Sequence, residues 1–155
     1  MTDRPESVED GYRRLRPAMV RLAHLLTGSP EVAEDVVHDA FVSCSGRWAT
    51  LEQPEAYVRR AVVNQAHRTG RQAGRDRDKA ARLGRTLPLS AGQPELDETW
   101  ALLRVLPERQ RMALVLRFYE DLSEAEIARL LECRPGTVKS LIHRGLAKVR
   151  KDILR

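Results

Sequence analysis

The chain has few cysteines and few aromatic residues. It contains two cysteines, Cys44 and Cys133, among 155 residues, and 5% of its residues are aromatic. The cysteines lie far apart and fit no metal-ligand spacing, so we interpret them as small apolar packing residues rather than redox or metal groups. The four histidines form no zinc-type pair with a carboxylate partner. The sequence therefore predicts neither a metal site nor a cofactor.

Long apolar runs and catalytic motifs are also missing. No segment approaches the length of a membrane span, and the first residues lack an apolar signal region. There is no glycine-rich phosphate loop, nucleophile elbow or persuasive acid–base pair. These absences predict a cytoplasmic protein that is not inserted in a membrane and is not an enzyme.

Positive charge is abundant and unevenly distributed. The formal net charge is +5 and the calculated pI is about 9.7, which favours a polyanionic partner. Residues 134–155 carry seven Lys or Arg and one acidic residue, whereas residues 1–50 carry eight acidic and six basic residues. The C-terminal part is therefore the first candidate for contact with nucleic acid, and the acidic N-terminal part is more suited to a protein partner.

Residues 122–150 have the pattern of a helix-turn-helix. Ser123 and Glu126 form a predicted capping box for the first helix. Its inward positions follow helical spacing: Ile127, Leu130 and Leu131. Pro135 suits the first turn of the second helix, because its missing N–H would be unpaired there. The inward face of the second helix is predicted to comprise Val138, Ile142, Gly145, Val149 and Ile153.

The outward face of the second helix combines small, polar and cationic residues. At about 100° per residue it includes Gly136, Ser140, His143, Arg144, Ala147 and Lys151. The alternative is the solvated face of an ordinary amphipathic helix. Such faces usually carry both signs of charge, so the excess of Lys and Arg over residues 134–155 favours DNA. The predicted DNA contacts here are Arg134, Gly136, Thr137, Lys139, Ser140, His143, Arg144 and Lys148.

The N-terminal part shows three successive amphipathic helices and no period-two alternation, which predicts an all-α protein of two small helical domains. The first helix ends at Gly28, Ser29-Pro30-Glu31 opens the second, and the third begins near Pro54. The predicted buried stripe of the second helix is Ala33, Val36, Val37, Ala40, Phe41 and Cys44. The predicted domains are residues 8–71 and 96–155, joined by a flexible linker at 72–95 with some helix over 74–83.

Four stretches of the chain resemble, in order, the extracytoplasmic-function (ECF) group of sigma-70 factors, especially the compact actinobacterial members. They are residues 25–41, 54–64, 106–111 and 136–140. The resemblance implies a sigma factor that binds core RNA polymerase and promoter DNA, for a stress or envelope regulon. The first lobe would match region 2, which binds the clamp of the largest polymerase subunit and opens the −10 element. The second would match region 4, which reads the −35 element and contacts the flap of the other large subunit. An anti-sigma factor is a common further partner in this group.

The same resemblance implies roles for residues of the first lobe. Glu34, Asp35 and Asp39 would contact core polymerase, although a merely solvated acidic face is the alternative. The residues expected at the −10 element are Trp48, Arg59, Arg60, Asn64, Arg68 and Arg71. The loop around Trp48 could receive a flipped base, although a tryptophan ring at such a position is more often part of the core than a platform for a base.

Two positions depart from the family pattern. Arg68 replaces a commonly acidic residue, and Leu141 stands where arginine usually follows Gly-Thr-Val-Lys-Ser. A DNA contact is expected to be missing at Leu141, which would alter or weaken −35 recognition. The principal alternative function is a stand-alone helix-turn-helix regulator, but such a protein would need a receiver or ligand-binding domain that the N-terminal helices do not resemble.

Overall fold

The structure is a computed structural model that describes residues 4–82 and 97–154, with side chains described for residues 4–70 and 98–154. Every regular element in these ranges is helical, which confirms the predicted all-α fold. The chain divides into two compact units, residues 1–90 and 91–155. The predicted linker at 72–95 falls largely outside the described residues, and its limits stay a prediction.

The first unit is built from three helices that all pack against one another. They are α1 (Val8–Thr27), α2 (Pro30–Ser45) and α3 (Pro54–Arg82). A short 3₁₀ turn, Trp48–Thr50, lies between α2 and α3. Helix α3 extends through the predicted helical part of the linker as far as Arg82, because residues 71–82 are rich in Arg and Ala and contain no proline.

The junction between α1 and α2 follows the predicted capping chemistry. Gly28 ends α1 in the left-handed conformation, with φ of 75°, and its N–H donates to the His24 carbonyl at 2.8 Å. The Ser29 hydroxyl accepts from the Val32 N–H at 3.3 Å, and Pro30 occupies the first helical position. These local signals therefore set where the chain reverses direction.

The core of the first unit lies between the apolar faces of its helices. All six residues of the predicted α2 stripe are buried: Ala33, Val36, Val37, Ala40, Phe41 and Cys44. From α1 the core receives Leu15, Met19, Leu22, Leu25 and Leu26, and from α3 it receives Val58, Val62, Val63 and Ala66. Because each large side chain contributes about 1.5–3 kcal/mol when fully buried, this core holds the exposed faces of α2 and α3 in fixed orientations.

The described residues of the second unit form four helices and an intervening π-helical segment, Val115–Tyr119. The helices are α4 (Asp97–Leu103), α5 (Glu108–Leu114), α6 (Glu124–Leu130) and α7 (Pro135–Ile153). Its core includes Leu106, Met112, Leu116, Ile127, Leu131 and Val138, each 4% exposed or less. Gly145 lets α7 approach α5 closely, since a Cβ there would lie 3.1 Å from Leu114 Cδ1.

Helices α6 and α7 form the predicted helix-turn-helix. The Ser123 N–H donates to Glu126 Oε2 at 2.9 Å and the Glu126 N–H donates to Ser123 Oγ at 3.1 Å, which confirms the capping box. Of the predicted inward residues on α6, Ile127 and Leu131 are buried and Leu130 is half-buried. Pro135 begins α7, as predicted.

The inward face of α7 is confirmed except at its end. Val138 and Gly145 are buried, and Ile142 and Val149 are half-buried. The prediction for Ile153 was wrong, because this residue is 61% exposed. It is the last residue of α7, where the helix projects into solvent, and periodicity alone does not show where the supporting core ends.

Candidate nucleic-acid and protein interfaces

The outer face of α7 is an exposed cationic surface. Seven of the eight predicted contact residues are exposed, and Thr137 is half-buried. Across the described parts of the chain, no ion pair involves Lys139, Arg144 or Lys148. Their charges are therefore available to an outside polyanion, as phosphate binding requires.

Small residues at the start of α7 leave room for a ligand to approach this surface. A Cβ at Gly136 would meet nothing within 4 Å, so the position is open to an approaching ligand. The Ser140 hydroxyl donates to the Gly136 carbonyl at 3.1 Å, and its oxygen retains lone pairs that can accept from a base or a water. Leu141 is half-buried beside this face and offers no hydrogen-bonding group.

A second cationic surface runs along α3. Arg60 and Arg68 are exposed, and Asn64 between them is half-buried. Because these residues follow one another at intervals of four, each is turned by only about 40° from the last, and all three share one face. Arg71 lies further along the same helix, but its side chain is outside the described residues.

Arg59 does not belong to that face. It is turned by about 100° from Arg60 and its Nη2 lies 3.3 Å from Glu55 Oε1. Glu55 also lies near Arg14, with 3.7 Å between Glu55 Oε2 and Arg14 Nη1. The Glu55 carboxylate therefore competes with any phosphate for Arg59, whereas no described ion pair involves Arg60 or Arg68.

Trp48 lies in the core, at odds with the expectation that its ring meets a base. The ring is 5% exposed and its centroid is 6.1 Å from that of Phe41. Its Nε1–H donates to the Glu6 carbonyl at 3.0 Å. The apolar body and the polar tip of the indole are thus both occupied inside the protein, so a base would meet other residues of the 46–53 loop.

The acidic face of α2 contains two available carboxylates. Asp35 and Asp39 are exposed, and neither takes part in an ion pair among the described residues. Glu34 differs, because its carboxylate is paired with the Arg16 guanidinium. The Tyr12 hydroxyl and the Glu34 carboxylate together raise the pKa of Arg16. The structure therefore separates Glu34 from the two residues with which it was grouped by sequence.

The described residues show no arrangement suited to a metal or a membrane span. No group of three or more His, Cys, Asp or Glu side chains among them could hold a metal ion, and none of their helices combines the length and apolarity needed to cross a bilayer. Cys44 is buried, and burial raises the pKa of its thiol. Cys133 is half-buried at the turn between α6 and α7.

An ion-pair network that joins three segments of the first unit was not predicted from the sequence. Arg14 donates to both oxygens of Glu6, with 2.8 Å from Nε and 2.9 Å from Nη2, and it also faces Glu55. These residues are too far apart in sequence for any helical or turn pattern to link them, so no local signal could have revealed the network.

Family models match both units. The model described as "Sigma-70 region 2" matches residues 12–76, and the model described as "Sigma-70, region 4" matches residues 96–149. The chain is 31% identical over 151 residues to the RNA polymerase sigma-E factor of Streptomyces coelicolor, covering 94% of this chain and 85% of that protein. It is 33% identical over 153 residues to the ECF RNA polymerase sigma factor SigM of Mycobacterium tuberculosis, covering 90% of this chain and 74% of that protein.

A solved structure has the same fold. The sigma factor RpoE from Bartonella quintana, determined in complex with the anti-sigma factor NepR, aligns with a TM-score of 0.65 and 22% identity. The alignment covers 92% of this chain and 94% of that one.

Proposed function

The chain belongs to the ECF group of sigma-70 RNA polymerase sigma factors, and we propose that its two units divide promoter recognition between them. The first unit binds core polymerase and opens the −10 element, and the second reads the −35 element. The observation that carries this division is the presence of one exposed cationic helix face in each unit, on α3 and on α7. The matches to both sigma regions favour this function over a stand-alone regulator. The role is regulatory rather than catalytic and is performed in the cytoplasm with polymerase.

In the second unit, α7 is the recognition helix. Its exposed face provides Arg144 and Ser140 for base edges, while Arg134, Lys139 and Lys148 are placed for phosphates. An arginine can bind a guanine with two hydrogen bonds, whereas a lysine near phosphate adds affinity without sequence preference. Thr137 and His143 supply further polar groups at the two ends of this surface.

Leu141 gives this chain one contact fewer to the −35 element than an arginine at that position would give. We expect Leu141→Arg to increase affinity for the −35 duplex and to make the salt slope of binding steeper by about 1, as one added phosphate contact requires. Fluorescence anisotropy across a salt series measures both effects. Leu141→Gln serves as the polar but uncharged control. An equal gain in the glutamine variant, or an unchanged salt slope in the arginine variant, would rule out a missing phosphate contact.

In the first unit, the exposed face of α3 binds the −10 element. Arg60 and Arg68 contact phosphates, Asn64 contacts a base, and Arg71 extends the cationic track. The 46–53 loop receives a base extruded from the non-template strand. Capturing single-stranded bases offsets an unstacking cost of about a few kcal/mol, so opening needs no ATP. Arg59 has a lesser part, because it is held by Glu55.

The acidic face of α2 binds the clamp of the largest polymerase subunit. Asp35 and Asp39 supply the carboxylates, and Glu34 contributes less because Arg16 balances its charge. The flap of the other large subunit binds the second unit. The NepR complex of the Bartonella relative supports an anti-sigma factor as a further partner that would silence this chain.

The α3 assignment is tested with Arg60→Ala/Arg68→Ala in holoenzyme reconstituted on a supercoiled promoter. We expect promoter opening, measured by permanganate reactivity of unpaired thymines, to fall by roughly tenfold. The salt slope of promoter binding should become shallower by about 1 to 2, because two phosphate contacts are lost.

The matched control removes the same charge from α1. Arg13→Ala/Arg21→Ala neutralises two exposed arginines of the same unit that lie outside the proposed −10 surface. Opening should be close to that of the unmodified protein. If the α3 variant opens the promoter normally, or if the control variant loses opening equally, then the α3 face has no specific part in melting.

A further inference from the structure

The 46–53 loop is fastened to the N-terminal segment by Trp48. The Trp48 Nε1–H donates to the carbonyl of Glu6, which precedes α1, at 3.0 Å. The indole ring lies directly against Gly11, where a Cβ would be 2.1 Å from Trp48 Cζ2. A residue larger than glycine would displace the ring at this point. The loop is therefore held, through Trp48, by Glu6 before α1 and by Gly11 in the first turn of α1.

The same N-terminal segment is tied to the other end of the loop. The Glu6 carboxylate accepts two hydrogen bonds from Arg14, which hold the pKa of Glu6 below its usual value. Arg14 also faces Glu55 in the first turn of α3, immediately after the loop. The backbone carbonyl of Glu6 thus binds the loop. Its side chain binds Arg14, which in turn faces Glu55 of α3.

Hydrogen bonds within the loop complete its fixed shape. The Thr50 hydroxyl and the Thr50 N–H both donate to the Arg47 carbonyl, at 2.7 and 2.8 Å. Arg47 Nη1 also donates to the Tyr57 hydroxyl on α3 at 3.3 Å. With Trp48 turned inward, the exposed polar residues of the loop are Arg47, Thr50, Glu52 and Gln53. These are the groups that a captured base would meet.

We propose that Glu6, Gly11 and Trp48 form a latch that fixes the 46–53 loop in its base-receiving shape, which makes Trp48 a positioning residue for promoter melting. The inference rests on the proposed function of the loop. The indole then fixes the shape of the loop and does not itself stack on the base, because the ring is buried. The latch also gives Glu6, which precedes α1, a part in melting.

The test is Trp48→Phe in holoenzyme, because phenylalanine keeps one aromatic ring and removes both the donor to Glu6 and part of the ring system that lies against Gly11. The measurement is affinity for single-stranded non-template −10 oligonucleotides, each intact or with one base replaced by an abasic nucleotide. We expect the preference for the intact base at the captured position to fall by about fivefold or more, because losing one buried hydrogen bond alone has an effect of that size. Binding to core polymerase and to −35 duplex should stay unchanged.

Two further variants separate latch function from general stability. Glu6→Gln weakens the contact to Arg14 without touching the core and should reduce the same base preference by a smaller factor. Trp100→Phe makes the same ring substitution in the second unit and should leave the preference intact. If the unmodified protein prefers the intact base and both Trp48→Phe and Glu6→Gln retain that preference in full, the latch is wrong while base capture stands. If the unmodified protein shows no preference at any position, base capture itself fails and the latch fails with it.

Discussion

Neutralising Asp35 and Asp39 together should weaken binding to core polymerase by about 10- to 100-fold, or about 1.4–2.8 kcal/mol. The reason is that both carboxylates are exposed on α2 and neither is balanced by an ion pair among the described residues. The variant Asp35→Asn/Asp39→Asn preserves side-chain shape, so it removes charge with little change to the fold. The measurement is a competition between labelled and unlabelled protein for purified core enzyme.

Glu34→Gln is the control for this result. Glu34 is exposed on the same helix, but its charge is already balanced by Arg16. Its neutralisation should change core affinity by less than about threefold, the effect expected of an exposed ion pair. If Glu34→Gln weakens binding as much as the double variant, the contact depends on overall acidity and not on two particular carboxylates. If the double variant binds normally, α2 is not the polymerase-binding face.

Arg144→Ala should lower affinity for the −35 duplex by about 10- to 100-fold, or about 1.4–2.8 kcal/mol, the size expected of one bidentate contact to a base edge. Arg144 is exposed in the middle of the α7 face and is in no ion pair within the described ranges. Binding is measured by anisotropy with the native −35 sequence and with single-base variants. A base contact predicts that discrimination at one position is lost, whereas a phosphate contact predicts equal weakening for all sequences.

Arg104→Ala provides the matched change in the same unit. Arg104 is also exposed, but it lies between α4 and α5, outside the helix-turn-helix. It should retain both affinity and discrimination. Equal losses in the two variants would mean that the second unit attracts DNA through its total charge and does not read sequence.

The sequence predicted those features that depend on neighbouring residues. The α1–α2 junction, the buried stripe of α2 and the capping box of α6 each arise from hydrogen bonds or periodicity within a few residues. The structure confirms all three. The exposed face of α7 was predictable for the same reason, because helical periodicity determines which residues point away from the core.

The features that the sequence did not predict depend on contacts between distant segments. A core position was one of the two interpretations of Trp48, but its partners were not predictable: Gly11 leaves room for the ring and Glu6 accepts its N–H. Glu34 forms an ion pair with Arg16, and Arg59 forms one with Glu55, so these two charges are less available to partners. Ile153 fits the helical period but lies beyond the supporting core. Periodicity identifies a helix face, whereas tertiary contacts decide which of its charges remain available.

The most direct test of the central claim is run-off transcription with purified core polymerase from a related bacterium and a pool of genomic promoter fragments. Adding this protein should produce new transcripts, and those transcripts should disappear with Arg144→Ala and persist with Arg104→Ala. Their start sites would identify the promoter sequence. Failure to bind core polymerase, together with no new transcript, would contradict a role in initiation. The alternative function, a stand-alone DNA-binding regulator, would then be favoured.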